Sequence, residues 1–200
     1  ALARMLTETL GDRPFGSSRL RLCVPSFDGT HGEVYIYKTP HHPDFKLDWK
    51  EPMTKVALAT SAAPSFFRPL QHRGYTFIDG GVWANNPIMI AVTEALTSFD
   101  ISRDQIRVLS LGCGDTPYEV SGAKLSFGGM FFWSDIIFGA MRLQSQNALG
   151  QARLLLGPES VLRIDAPSTT PKIERDDWAT ARELLPPAAS TALDQFADKI

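Results

Sequence analysis

The stretch Tyr75-Thr76-Phe77-Ile78-Asp79-Gly80-Gly81-Val82-Trp83-Ala84-Asn85-Asn86-Pro87 constrains this chain more than any other. Aromatic and β-branched residues predict a short strand from Gly74 to Ile78. That strand delivers one carboxylate, Asp79, into a pair of glycines. Without a Cβ, Gly80 and Gly81 allow a backbone turn with φ > 0 and the close approach of another group. A helix is then expected to start with Asn86 as N-cap and Pro87 at its first position. Such a carboxylate, between the carboxyl end of a strand and a helix, stands where open α/β sheets build active sites. Asp-Gly-Gly on its own is also an ordinary turn in which the Asp bonds its own loop. The flanking sequence decides between the two readings.

Upstream runs Ala57-Leu58-Ala59-Thr60-Ser61-Ala62-Ala63-Pro64-Ser65-Phe66-Phe67-Arg68-Pro69, and downstream comes Arg107-Val108-Leu109-Ser110-Leu111-Gly112-Cys113-Gly114. Together with the D-G-G-V-x-A-N-N-P block, these stretches resemble the patatin-like lipid acyl hydrolases, in consistent order from about Val56 to Gly114. The resemblance implies a three-layer α/β/α fold and a phospholipase-type ester hydrolase using a Ser–Asp dyad, in which Asp79 matches the catalytic aspartate. It needs no cofactor and no metal. Gly80, Gly81, Asn85 and Asn86 are expected to support the loop around Asp79: Asn86 by capping, Asn85 through side-chain to backbone bonds. Ser61 is either a residue of the active-site surroundings or plain packing.

The family's serine sits in a Gly-x-Ser-x-Gly elbow, with small residues on both sides of a strained turn. No such elbow occurs here: Ser110 follows Val108-Leu109, and Ser17 and Ser126 lack the flanking glycines. The chain opens at Ala1-Leu2-Ala3-Arg4 with neither an initiator Met nor a signal-peptide core. The expectation is therefore that residues 1–200 are the C-terminal portion of a single domain, inactive alone, whose missing N-terminal segment carries the nucleophile and the oxyanion loop.

A 44% hydrophobic and 21% charged composition is ordinary for a soluble globular domain. A net charge of −2 and the lack of any basic run exclude an electrostatic case for nucleic acid. No apolar run approaches the roughly 20 residues that span a bilayer, so membrane contact is expected to be peripheral. Cys23 and Cys113 read as reduced core residues rather than a disulfide framework, which makes the cytoplasm the default compartment, with the inner membrane as the surface met.

Along the chain, Leu2 to Leu10 is predicted helical, and Arg19–Val24 and Glu33–Tyr37 are predicted neighbouring strands joined through a turn at 25–29 and a loop containing His31. His41 and His42 lie adjacent in a kinked loop. Adjacent residues of an extended chain point apart, and no spaced partner follows, so a surface role is expected rather than metal binding. Trp49–Thr60 reads as a helix, with Met53, Val56, Ala57 and Ala59 inward. Pro87–Phe99 reads as a nearly all-apolar buried helix with a polar stripe at Thr93, Glu94, Thr97 and Ser98. It leads to an apolar strand, Ile106–Leu111, as one βαβ unit. Residues 115–129 read as a loop, and Met130, Phe131, Phe132 and Trp133 as either an interfacial patch or core aromatics. A helix from Asp135 to Leu156, capped by Ser134, a strand Val161–Ile164 and a broken helix from Asp177 complete the reading.

Two other classes fit parts of the sequence. Val108 to Asp115 resembles the glycine loop of S-adenosylmethionine-dependent methyltransferases, but Ser110 replaces the expected acidic residue and the D-G-G block goes unexplained. A non-catalytic lipid-binding or regulatory fragment is the non-enzymatic alternative. Some bacterial patatin-like phospholipases act in antiphage defence and are switched on by cyclic nucleotides, and that likeness implies a cyclic-nucleotide activator beside a lipid or acyl-ester substrate.

Overall fold

The computed structural model describes residues 2–114, 120, 122, 136–166, 173 and 177–197. Helix α1 (Leu2–Leu10) precedes strands β1 (Cys23–Asp28) and β2 (Glu33–Lys38). Helix α2 (Met53–Thr60), strands β3 (Leu70–His72) and β4 (Tyr75–Asp79), a single helical turn α3 (Gly81–Ala84) and helix α4 (Ile88–Ser98) follow. Strand β5 (Val108–Leu111), helix α5 (Ile136–Leu156), strand β6 (Val161–Ile164) and helix α6 (Trp178–Phe196) close an α/β fold. None of these helices is long and apolar enough to cross a membrane.

The first four strands make an antiparallel sheet in the order β2-β1-β4-β3. β1 runs through the segment the sequence reads as a turn at 25–29, so the first strand lies further along the chain than expected. Pro25 is tolerated inside it because β4 pairs with β1 only from Ser26 onward, leaving that strand edge open at the proline. The register sets Ser26 opposite Tyr35 on one side and Asp79 on the other. A fully buried serine there is small enough for Tyr35 and Phe77 to meet across the strand, ring centroids 5.1 Å apart. With Phe15, Tyr37, Val56 and Ala59 these rings form the first core, under α2.

β3 and β4 are joined by Arg73 and Gly74, both with positive φ (51° and 83°), the two-residue hairpin turn whose twist matches antiparallel strands. Buried Glu51 secures this hairpin by accepting from His72 Nε2 at 2.7 Å and pairing with Arg73. A second core joins α4, β5, α5 and β6 through Ile88, Val92, Ile106, Ala148, Ala152, Leu156 and Val161.

Expectations change in this half. β4 and β5 lie in different sheets, so they do not form the expected βαβ unit; the parallel pair is β5 with β6, connected through α5. Among the described residues β5 pairs with β6 alone, and alternation turns Leu109 and Leu111 outward, 53% and 68% exposed, where an interior strand was expected. Helix α4 is exposed at Ala91 and Thr93, whereas Glu94, assigned to its polar stripe, is 7% exposed. α6 also runs unbroken through Pro186 and Pro187. Proline has a helical φ but removes a backbone donor and crowds the carbonyl four residues back, and those carbonyls, on exposed Arg182 and Glu183, are near water. Cys113 is exposed rather than in a core, and Cys23 is half-buried; both thiols are free. Ser134, Met130 to Trp133 and the loop at 115–119 lie outside the described residues.

A buried aspartate paired with an exposed histidine stabilises the β1–β2 turn. Asp28 accepts from Thr30 N at 2.9 Å and lies 2.5 Å from His31 Nδ1. Burial works to raise the Asp28 carboxyl, but the hydrogen bonds from His31 and Thr30 outweigh it and hold it below its ordinary value. A depressed folded value means the pair's stabilisation is complete above the unfolded carboxylate value of about 3.9 and is lost as pH falls through the lowered folded value. Thermal melts of wild type and Asp28→Asn between about pH 7 and pH 3 should therefore converge at the acid end. A difference that stays constant over that range would exclude this pair from the acid limb.

Candidate active site

Asp79 is the last residue of β4, one position beyond the expected strand end. Its backbone N–H donates to the Ala62 carbonyl at 3.1 Å, which ties the catalytic candidate to the small-residue break after α2. Ser61 is the C-cap of that helix, one residue before the contact. Its neighbour Thr60 donates its hydroxyl to Pro25 O at 2.7 Å, so the segment lies against the same end of the sheet. Asp79 Oδ1 accepts from Gly81 N at 2.7 Å. Among the described residues Oδ2 takes no hydrogen bond.

The two glycines are needed for close approach rather than for φ. Gly80 is right-handed (φ −65°), and neither residue is among those with positive φ. A Cβ on Gly80 would lie 2.2 Å from Pro25 O, so the turn closes directly onto the β1 backbone. A Cβ on Gly81 would meet Asp79 Oδ1 at 3.1 Å and Met141 Cε at 3.6 Å. Gly80 thus positions the turn, and Gly81 leaves room around the carboxylate.

After the turn, Trp83 Nε1 donates to Ser26 O at 2.9 Å. Buried Asn86 accepts from Ile88 N at 3.2 Å from one position before the N-cap, which is Pro87 rather than the expected Asn86, so α4 begins at Ile88 and this local side-chain to backbone bond stands in place of a cap. Asn86 also clamps the turn to α5: its N–H donates to Gln144 Oε1 at 3.1 Å, and Gln144 Nε2 donates to its carbonyl at 3.4 Å. Gln144 shares a polar face of α5 with Gln146, Asn147 and Gln151, and the packing of that helix shows its use here. Asn85 is exposed and stands in the wall of a cavity of about 530 Å³.

That cavity lies between the Asn85–Pro87 turn, the Leu111–Gly114 loop and α5. Asp79 is not in its wall; the cavity adjoins the aspartate's turn through Asn85 and Met141. Gly112 is there for packing: a Cβ would lie 2.2 Å from Asp165 Oδ2, and Gly112 N donates to Ile164 O at 2.8 Å. Asp165 in turn accepts from Gly114 N at 2.7 Å and from Arg163 Nη2 at 2.7 Å. The glycines of the methyltransferase-like stretch are therefore accounted for by contacts with β6.

Two local alternatives for the chemistry are answered by geometry. The serine opposite Asp79, Ser26, is fully buried and donates its hydroxyl to Ile78 O at 2.8 Å, so it is not an exposed nucleophile. Each histidine pairs with another carboxylate: His31 with Asp28, His41 with Glu94, His42 with Asp44 and His72 with Glu51.

The sequence model of the family described as patatin-like phospholipase matches residues 1–92, which include Asp79 and the whole turn to Pro87. A cGAMP-activated phospholipase of Pseudomonas aeruginosa is 31% identical over 156 residues, covering 76% of this chain and 47% of that protein. A cGAMP-activated phospholipase of Escherichia coli is 36% identical over 119 residues, 56% of this chain and 33% of that protein. Patatin-like protein 2 of Arabidopsis thaliana is 32% identical over 159 residues, 66% of this chain and 38% of that protein. The chain thus spans less than half the length of these relatives. Residues 1–92 belong to the patatin-like phospholipase family, and the relatives extend that kinship over about three quarters of the chain.

Proposed function

We propose that this chain supplies the general base, Asp79, of a Ser–Asp dyad that hydrolyses acyl esters of lipids, with the serine on polypeptide that precedes Ala1. The observation that carries this reading is the environment of the Asp79 carboxylate. One oxygen is fixed by Gly81 N–H, and among the described residues the other is available to a hydroxyl, beside a cavity and inside the family match.

In this scheme Oδ2 takes the proton from the serine hydroxyl as its oxygen attacks the ester carbonyl, which requires an approach of about 2.6–3.2 Å. The same proton then passes to the departing alkoxide, and water repeats the sequence to free the acid and restore the serine. Gly80 and Asn86 hold the turn, Gly81 leaves space for the incoming hydroxyl, and Asn85 stands at the cavity rim. Ser61 supports Asp79 from the α2 side through its neighbour Ala62. The protein acts at a membrane surface as a peripheral enzyme of the cytoplasm. A cyclic nucleotide activates it, a reading supported by the names of its bacterial relatives.

The test is fatty-acid release from phospholipid vesicles by the complete protein, alone and with a panel of cyclic dinucleotides that includes cGAMP. Release stimulated by a panel member is the expected result. Equal release with and without the panel removes the activator but leaves the hydrolase, and no release under any condition overturns the whole reading.

A further inference from the structure

From the far side of the antiparallel sheet, we infer that Cys23, His41 and Glu94 form a binding site for one zinc-class divalent cation. Their ligand atoms (Cys23 Sγ, a His41 ring nitrogen and a Glu94 carboxylate oxygen) all lie within 4.8 Å of one another. A tetrahedral zinc ion lies about 2.0–2.3 Å from each ligand atom, which sets those atoms about 3.3–3.8 Å apart. The three groups are thus about an ångström of side-chain motion from a coordination shell. Thiolate, imidazole and carboxylate together select zinc over magnesium or calcium, which prefer oxygen alone.

The three residues come from β1, the loop after β2 and α4, separated by 18 and 53 positions, so no sequence spacing announces them. Glu94 and His41 have side chains only 8% and 4% exposed, which is costly for a carboxylate and an imidazole unless they are paired. His41 is already oriented for ligation: Nδ1 is 2.8 Å from Thr39 Oγ1, and Nε2 faces Glu94 Oε1 at 3.2 Å. Metal-ligating histidines use their second nitrogen in this way. Phe45 and Phe99 pack against the ring, with centroids 5.1 Å and 5.9 Å away, and restrict its rotation.

A cationic side chain also occupies this site: Lys38, cross-strand partner of Cys23, contacts Glu94 Oε2. Its side chain is 26% exposed and reaches in from edge strand β2, so it can swing outward to water. The cluster therefore has two alternative cations, the lysine ammonium and a divalent ion, which compete for Glu94. On metal binding the thiol proton goes to solvent, His41 ligates as a neutral imidazole that keeps its other N–H, and the lysine leaves. The ion would staple β1 and the loop after β2 to α4.

Titration of the purified protein with Zn²⁺ against a chelator, and with Co²⁺ followed by absorption, tests this. We expect one ion per chain and a thiolate-to-cobalt charge-transfer band. Cys23→Ser should abolish the band and weaken Zn²⁺ binding at least about tenfold. Lys38→Met, which leaves the ligands intact, should tighten binding. Absence of stoichiometric metal in the wild type overturns the site. So does a Cys23→Ser protein that keeps the band, or a Lys38→Met protein that binds no more tightly than wild type. These readouts are independent of catalysis.

Discussion

In the complete protein, Asp79→Asn is expected to lower kcat/KM for ester cleavage by about a thousandfold while leaving the fold and the KM little changed. The variant is chosen for what it keeps. An asparagine Oδ1 still accepts from Gly81 N, now at 2.7 Å, and the side chain has nearly the same volume, so the turn stays closed. What is lost is the capacity of the second position to take a proton. General-base catalysis by a positioned side chain contributes about 10²–10⁴-fold, which sets the expected size. Asp79→Ala should lose at least as much. Turnover within about tenfold of wild type, in an Asn variant whose melting curve is unchanged, would remove Asp79 from the chemistry whatever its place in the fold.

The largest stability effect is expected at Gly80. A methyl group there lies 2.2 Å from Pro25 O and 2.4 Å from Pro25 C, and both are backbone atoms that cannot rotate away. Gly80→Ala must separate the turn from β1, at the site where Ser26 pairs with Asp79. Overpacking typically costs about 1–3 kcal/mol, and a backbone obstacle puts this case at the upper end or beyond it. Gly81→Ala is the contrasting variant. Its nearest atoms are Asp79 Oδ1 at 3.1 Å and the mobile Met141 methyl at 3.6 Å, so it should fold with small loss while crowding the carboxylate. Urea unfolding of the two variants separates them. Equal destabilisation would contradict the division of labour between adjacent glycines.

Much of the site could be read before folding because its parts are contiguous. Strand, aspartate, glycine pair and Asn86 fall within 13 consecutive residues. Local rules (β-propensity, close approach at glycine, side-chain to backbone bonding by Asn86) act over that range, and the structure keeps them while shifting each boundary by a residue, so that the helix N-cap is Pro87 and not Asn86. For the two glycines close approach applies and positive φ does not. The strand limits at β1 were missed because Pro25 reads as a turn residue. Its tolerance depends on which neighbour strand has joined at that point, and that is a property of the sheet.

By itself the sequence determined the α/β alternation, the family and the single carboxylate that a glycine turn presents. It did so because those features depend on residues a few positions apart. The tertiary structure alone decided which strands share a sheet. It also turned Gln144 inward to clamp Asn86 and gathered Cys23, His41 and Glu94 around one point. Such groupings join residues up to 71 positions apart through packing, where no propensity or spacing rule reaches.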